Sequence, residues 1–313
     1  MVKYSFGVDV GGTSVKIGFF EKEGVLLDAW EIPTRKEDNG TRILPDIAEA
    51  VLGKMSAEGI NDDDVLGIGL GVPGPVGSDG TVYKCVNLGW GVFNVSQALS
   101  EITGLPVKAA NDANIAALGE MWKGGGAGHS DIIMVTLGTG VGGGIIIDGR
   151  IVAGVNGASG EIGHIPVAEP EEEPDVCGCG KRGCLEQYVS ANGFVRITKK
   201  YLEENPDLES SLRGKEVKCK AIFDAAKEGD PVAAHMVDVL CKKLGRALAG
   251  VACVINTDVF VIGGGVSKAG SIVMEGVEKY FRQYAFHASR NTKFALAKLG
   301  NDAGIYGGAA LLL

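Results

Sequence analysis

The chain has little cysteine, histidine or basic charge, and each shortage narrows what it can be. Seven cysteines in 313 residues, an odd number and mostly scattered, argue against a disulfide framework and fit a reducing, cytoplasmic setting. Lys and Arg number 30 against 39 Asp and Glu, a net charge of −9 without a basic cluster, so nucleic acid is not an expected partner. No apolar run reaches membrane-spanning length, and the opening MVKYSFGVDVGGT enters a glycine-rich motif at once. Neither a signal peptide nor a membrane partner is therefore expected. A G-x-x-x-x-G-K-[ST] phosphate loop, a heptad seam and a Pro-rich linker are missing too.

What is abundant is glycine, 49 residues gathered in clusters beside apolar strands, where backbone turns tightly or approaches a ligand. Residues 4–20 predict strand, turn, strand (SFGVDV, GGTS, VKIGFF), and residues 25–32 add a third strand. An amphipathic helix over about 41–58 is stopped by Gly59 and followed by the buried strand VLGIGLGV. Asn94 can cap a helix that Gly104 ends, and PVKAA leads into Asn111-Asp112 and another helix reaching 124–128. IIMVTLGTGVGGGIIID repeats strand, turn, strand, with Gly138 where Gly11 stood, and NDANIAALGE (111–120) is echoed by NDAGIYGGAA (301–310). Such echoes predict a duplicated α/β unit, chance similarity of glycine-rich strands being the alternative. Helices are expected over about 191–204, 220–227 and 231–256, and DVFVIGGGVSKAG reads as strand, glycine turn, helix.

GTGVGG (138–143) matches G-x-G-x-x-G, but a strand follows where a dinucleotide fold needs a helix. Two strand–turn–strand loops remain: Gly11-Gly12-Thr13 and Gly138-Thr139-Gly140. Backbone N–H groups in such turns form anion nests, and Thr13 and Thr139 add hydroxyl donors. Facing each other across a cleft, the loops would cradle one polyphosphate. Asp9, at the mouth of the first, suits Mg2+ held through water, or is a strand-end carboxylate without metal. Lys16 is either a phosphate contact or a solvated face residue. Gly263-Gly264-Gly265 can let a purine or ribose lie on the backbone, or form a simple tight turn.

The densest chemistry runs from GEIGH (160–164) through an acidic linker to CGCGKRGCLE (177–186). Cys177, Cys179, Cys184 and His164 make a Cys₃His set, the ligands of a closed tetrahedral structural zinc without an open position for catalytic water. A redox C-x-C pair is the competing reading. Glu161 and Glu186 flank the ligands, so a metal clamp would fix two acceptors for a polyhydroxylated ligand.

Taken together, DVGGTSVK (9–16), LGTGVGGG (137–144), GEIGH, CGCGKRGCLE and VIGGGVS (261–267) resemble the ROK family of sugar kinases and sugar-responsive repressors. The likeness runs from Phe6 to the C-terminal helix and, with SANGFVRIT (190–198), leans toward the bacterial glucokinases. It implies an actin-like, ribonuclease H-like duplicated α/β fold with ATP in an interdomain cleft. Residues 1–112 would form a small domain on which a C-terminal helix (301–313) packs back, and 113–300 a large domain with the zinc loop. By position Asp112 matches the family's catalytic base, and Gly74, Asn87, Asn111, Glu161, His164 and Glu186 match its sugar contacts. Asp112 and Asp302 otherwise read as helix N-caps. The expected reaction is transfer of phosphate from Mg-ATP to the 6-hydroxyl of glucose, in a homodimer or homotetramer. Kinases of fructose, mannose or N-acetylmannosamine and a sugar-sensing regulator are the alternatives.

Overall fold

The computed structural model describes residues 3–173 and 175–313. Its strands are β1 (Tyr4–Val10), β2 (Ser14–Glu21), β3 (Leu26–Pro33), β4 (Val65–Val72), β5 (Thr81–Val82), β6 (Phe93–Asn94), β7 (Val107–Asn111), β8 (Ile132–Leu137), β9 (Val141–Ile147), β10 (Arg150–Ile151), β11 (Val259–Gly263) and β12 (Lys293–Leu296). They build a sheet in the order β3-β2-β1-β4-β7, another in the order β10-β9-β8-β11-β12, and a small ribbon of β5 and β6. In the first sheet β1, β2 and β3 form an antiparallel meander, while β4 and β7 run parallel to β1. The C-terminal ends of β1, β4 and β7 therefore share one edge, where open α/β sheets bind ligands.

Local chemistry explains these elements. Phe6, Val8, Ile17 and Leu70, neighbours on one face of the first sheet, are fully buried. On the other face a Cβ at Gly7 or Gly69 would strike the Ile305 or Gly308 carbonyl, so these strands are covered on both faces. The helix expected over 41–58 spans Ile43–Glu58 and ends on Gly59, whose left-handed φ of 66° suits glycine. Asn94 caps the helix Val95–Thr103, its side-chain oxygen accepting from the Gln97 N–H at 2.8 Å, a contact worth about 1 kcal/mol. The sequence reading fails after Gly265. The glycine turn leads into a short 3₁₀ turn, Val266–Ala269, and Gly270 at φ 79° breaks the path before the helix Ser271–Tyr284 begins.

The described chain divides into two compact units. The first runs to Ile133 and also holds Gly144–Gly160 and Lys298–Leu313; the second comprises Met134–Gly143 and Glu161–Ala297. The chain thus changes unit within β8 and again within β9, not at the expected 112/113 boundary. Helix Asp112–Lys123 stays in the first unit because it meets the C-terminal helix Ala303–Ala310 backbone to backbone. A Cβ on Gly119 would overlap the Ala303 carbonyl, and one on Gly307 the Ile115 carbonyl. The two echoing segments are therefore packing partners.

Candidate active site

In the first unit, the expected residues converge on the strand ends. Asn111 ends β7 and is the true N-cap of helix Asp112–Lys123, its Oδ1 accepting from the N–H groups of Ala113 (3.0 Å) and Asn114 (3.2 Å). The N-cap reading of Asp112 is thus corrected: Asp112 is the first helical residue. Its Oδ1 accepts from Asn111 Nδ2 at 2.9 Å and from the Ala113 N–H at 2.8 Å. The same Nδ2 reaches the Gly74 carbonyl at 3.0 Å, tying the turn after β4 to the end of β7. Gly74 sits at φ 92°, and a Cβ there would stand 2.9 Å from the Lys84 carbonyl oxygen. Asn87 is exposed in the adjoining 3₁₀ turn Val86–Leu88. Burial pushes the nearby Cys85 thiol above its ordinary pKa, and the Asp112 charge adds to it, so this loop lies within electrostatic reach of Asp112.

Asp9, near the end of β1, pairs across the strands with Lys16 on β2. Burial, and after it the Asp112 carboxylate, push the Asp9 pKa to about 6 against the opposing Lys16 charge. The Lys16 ammonium forms an ion pair with Asp302, so it is neither unpartnered nor simply solvated. Asp302 makes no side-chain cap bond to the helix that follows it, which corrects its expected cap role. Gly304 in that helix leaves room for the Asp9 carboxylate, which a Cβ would strike. Between Asp9 and Lys16 the loop is held by Gly11 N–H to the Ser14 carbonyl (3.0 Å) and Thr34 Oγ1 to the Gly11 carbonyl (2.8 Å). Thr34 N–H bonds the Thr13 carbonyl at 3.0 Å. A Cβ at Gly12 would meet nothing within 4 Å, so that face of the turn is open.

In the second unit, Gly138-Thr139-Gly140 forms a tight turn closed by the Gly138 N–H to the Gly140 carbonyl at 2.9 Å. Gly264, at φ 83°, brings the Gly263-Gly264-Gly265 turn against the Leu137 backbone, where a Cβ would lie within 2.6 Å of three main-chain atoms. The two turns are neighbours. Glu186 joins them to the Cys₃His loop, with Oε2 accepting from the Val141 N–H at 2.8 Å and Oε1 3.8 Å from Cys177 Sγ.

The four donor atoms of His164, Cys177, Cys179 and Cys184 lie within 4.8 Å of one another. His164 Nδ1 is 3.6 Å from Cys177 Sγ, and the sulfurs of Cys179 and Cys184 are 3.6 Å apart. Tetrahedral zinc, with bonds of ~2.3 Å to sulfur and ~2.0 Å to nitrogen, spaces two sulfurs by roughly 3.8 Å and a sulfur from a nitrogen by roughly 3.5 Å. The set fits a metal ion. Burial and the neighbouring thiols push Cys184 up to about 12, while a backbone bond from Lys181 holds Cys179 below its ordinary value. With Nδ1 turned to the cluster, His164 Nε2 faces Glu161 Oε2 at 3.9 Å.

Sequence reasoning missed the frame behind this loop. The acidic run contains Glu173, 2% exposed, which pairs with Arg196 through two bonds of 3.0 and 2.5 Å. Gln187 accepts from the Cys184 N–H at 3.1 Å and donates to the Asp175 carbonyl at 2.9 Å. One signal was available: Gln187 and Arg196 both lie within ten residues of Glu186.

A family model described as ROK family matches residues 5–313. A glucokinase of Halalkalibacterium halodurans is 44% identical over 99% of this chain and 95% of its own length. A glucokinase of Streptomyces coelicolor is 34% identical over 98% of this chain and 96% of its own. The solved structure of a ROK family glucokinase from Streptomyces griseus, in complex with glucose and AMPPNP, matches at a TM-score of 0.72 and 35% identity, with 98% of each chain covered. Strand order, the Cys₃His loop and similarity along nearly the whole length agree: the chain belongs to the ROK family and has its actin-like α/β fold.

Proposed function

We propose that the chain is an ATP-dependent hexokinase that phosphorylates the 6-hydroxyl of glucose, with Asp112 as general base. The observation that carries this reading is the fixing of Asp112. One carboxylate oxygen is held by Asn111 and the Ala113 N–H, so the group is oriented before any substrate arrives. A positioned carboxylate takes the proton of the attacking hydroxyl late in transfer, when the forming bond makes that hydroxyl acidic.

Gly74, Asn87, Asn111, Glu161, His164 and Glu186 serve as sugar contacts. His164 has the geometry for two duties: Nδ1 turned to the cluster, Nε2 directed toward Glu161 and able to meet a hydroxyl. Cys177, Cys179, Cys184 and His164 would hold zinc, which supplies rigidity and no chemistry because all four positions are taken by protein. The turns at Gly11-Gly12-Thr13 and Gly138-Thr139-Gly140 offer N–H donors to the phosphates, and Gly263-Gly264-Gly265 backs the nucleoside. Asp9 would hold Mg2+ through water, and that ion supplies charge neutralisation at the transferring phosphate. Lys16, which pairs with Asp302, would exchange that partner for phosphate. The active protein is a cytoplasmic homodimer or homotetramer.

An assay coupling ATP consumption to a panel of glucose, mannose, fructose and N-acetylmannosamine tests the reading. The highest kcat/KM is expected with glucose. Turnover of none of these sugars would sink the kinase assignment, and a preference for another would move the substrate within the class.

A further inference from the structure

Glu186 makes a bond that a simple sugar contact does not need. Its Oε2 accepts from the Val141 N–H at 2.8 Å, at the point where the second phosphate turn enters β9. Gly140, inside that turn, lies so close to the same oxygen that a Cβ would strike it. The turn is also held from just beyond Glu186: the Ala191 N–H donates to the Gly138 carbonyl at 2.8 Å, and Ala191 opens the helix Ala191–Glu204, which the Ser190 side chain caps. Both ends of the turn are therefore fastened to the short segment 186–191, and Glu186 fastens one of them by its side chain.

A carboxylate has about four lone-pair directions over two oxygens. Val141 occupies one of them. The other oxygen, Oε1, has Cys177 Sγ at 3.8 Å, a contact too long to hold the group firmly, so it retains acceptor capacity for a hydroxyl. We propose that Glu186 couples sugar binding to nucleotide binding: a hexose hydroxyl on Oε1 locks the carboxylate, and the locked carboxylate holds the Gly138–Val141 turn in its phosphate-binding shape. The inference rests on the kinase reading above and adds a direction to it. Sugar tightens nucleotide and, by linkage, nucleotide tightens sugar by the same factor. Glu161 belongs to the same unit and the same proposed sugar site, and its carboxylate faces His164, so it is the natural control.

The test is calorimetric binding of AMPPNP with Mg2+ to the zinc-loaded protein, without glucose and at saturating glucose. Glucose should tighten AMPPNP at least fivefold in the wild type and, once saturating, in Glu161→Ala; in Glu186→Ala the factor should fall to near one. Hydrogen exchange of the Val141 amide provides a readout independent of sugar affinity. Without ligand, Glu186→Ala should speed that exchange at least tenfold, and Glu161→Ala should leave it unchanged. Full coupling in Glu186→Ala, an unaltered Val141 exchange rate, or no coupling in a wild type that phosphorylates glucose would each overturn the proposal while leaving the kinase reading in place. A wild type that binds neither glucose nor AMPPNP would remove both.

Discussion

Asn111 and Asp112 divide between them two tasks that the sequence assigned to one residue. Asn111 caps the helix through Oδ1 and, through Nδ2, donates to Asp112 Oδ1 at 2.9 Å. Asp112 is thereby released from capping and held in one orientation. Asp112→Asn keeps an oxygen for the Ala113 N–H and leaves the cap untouched, so thermal unfolding should stay within about 1 kcal/mol of the wild type. The variant loses the proton acceptor, and kcat should fall by ~10²–10⁴ with a smaller change in glucose KM. Steady-state kinetics beside a melting curve decide this. Turnover within a few-fold of the parent would leave Asp112 without its catalytic role.

Asp9 should trade stability for function. Its folded pKa of about 6 lies above the ordinary aspartate value of about 4, so the folded state binds the proton more tightly than the unfolded chain. Stability from this protonation is complete below pH 4 and disappears as pH rises through about 6. Asp112 and Lys16 are the charged groups acting on Asp9, and Lys16 keeps Asp302 as partner when Asp9 is neutralised. Asp9→Asn should melt higher than the wild type at pH 8, with the gap closing as pH falls from 7 toward 4. Activity should drop by ~10–100-fold, as for loss of an outer-shell metal partner. Melting curves at pH 4, 6 and 8 check the sign; a gap that widens toward acid contradicts it.

Much of this was legible because the same residues that do chemistry also impose backbone geometry. Gly59, Asn94 and Gly104 announce helix ends, and the Cys₃His spacing announces a metal loop whose donor atoms do lie together. What stayed hidden depends on partners distant in sequence. Lys16 and Asp302 are 286 residues apart, so no local pattern separates a solvated lysine from a paired one. Backbone contact between Gly119 and the Ala303–Ala310 helix places helix Asp112–Lys123 in the first unit, although the resemblance implied a boundary at 112/113. Glu173 sits in a run of acidic residues that normally signals a solvated segment, and only the fold brings Arg196 to it.

Metal removal should affect the loop more than the chemistry. In metal-free protein the buried Cys184 thiol, pushed up to about 12, is protonated at neutral pH, so zinc loading must release protons. Calorimetric zinc titration of chelator-treated protein in buffers of different ionisation heat should show that release and a stoichiometry near one per chain. Cys179→Ser should weaken zinc retention and lower the melting temperature. Unchanged melting and full activity in zinc-free protein would exclude a structural metal.

Arg196 should prove to be the main support of the Cys₃His loop. It donates two bonds to Glu173, one to Asp175 at 2.5 Å and one to the Gln187 carbonyl at 3.1 Å. The Glu173 side chain is 3% exposed and that of Arg196 30%, so the pair is largely but unevenly removed from water. Cutting Arg196 to Met strands a buried carboxylate, which typically costs ~3–5 kcal/mol. Melting should fall on the order of 5–10 °C, and glucose KM should rise more than kcat falls, because Gln187 adjoins Glu186 and shares the loosened frame. Replacing both partners, Glu173→Leu with Arg196→Met, removes the stranded charge and should restore most of the melting temperature. A double variant as unstable as Arg196→Met alone would show that Arg196 acts through its bonds to Asp175 and Gln187, and that the pairing with Glu173 contributes little.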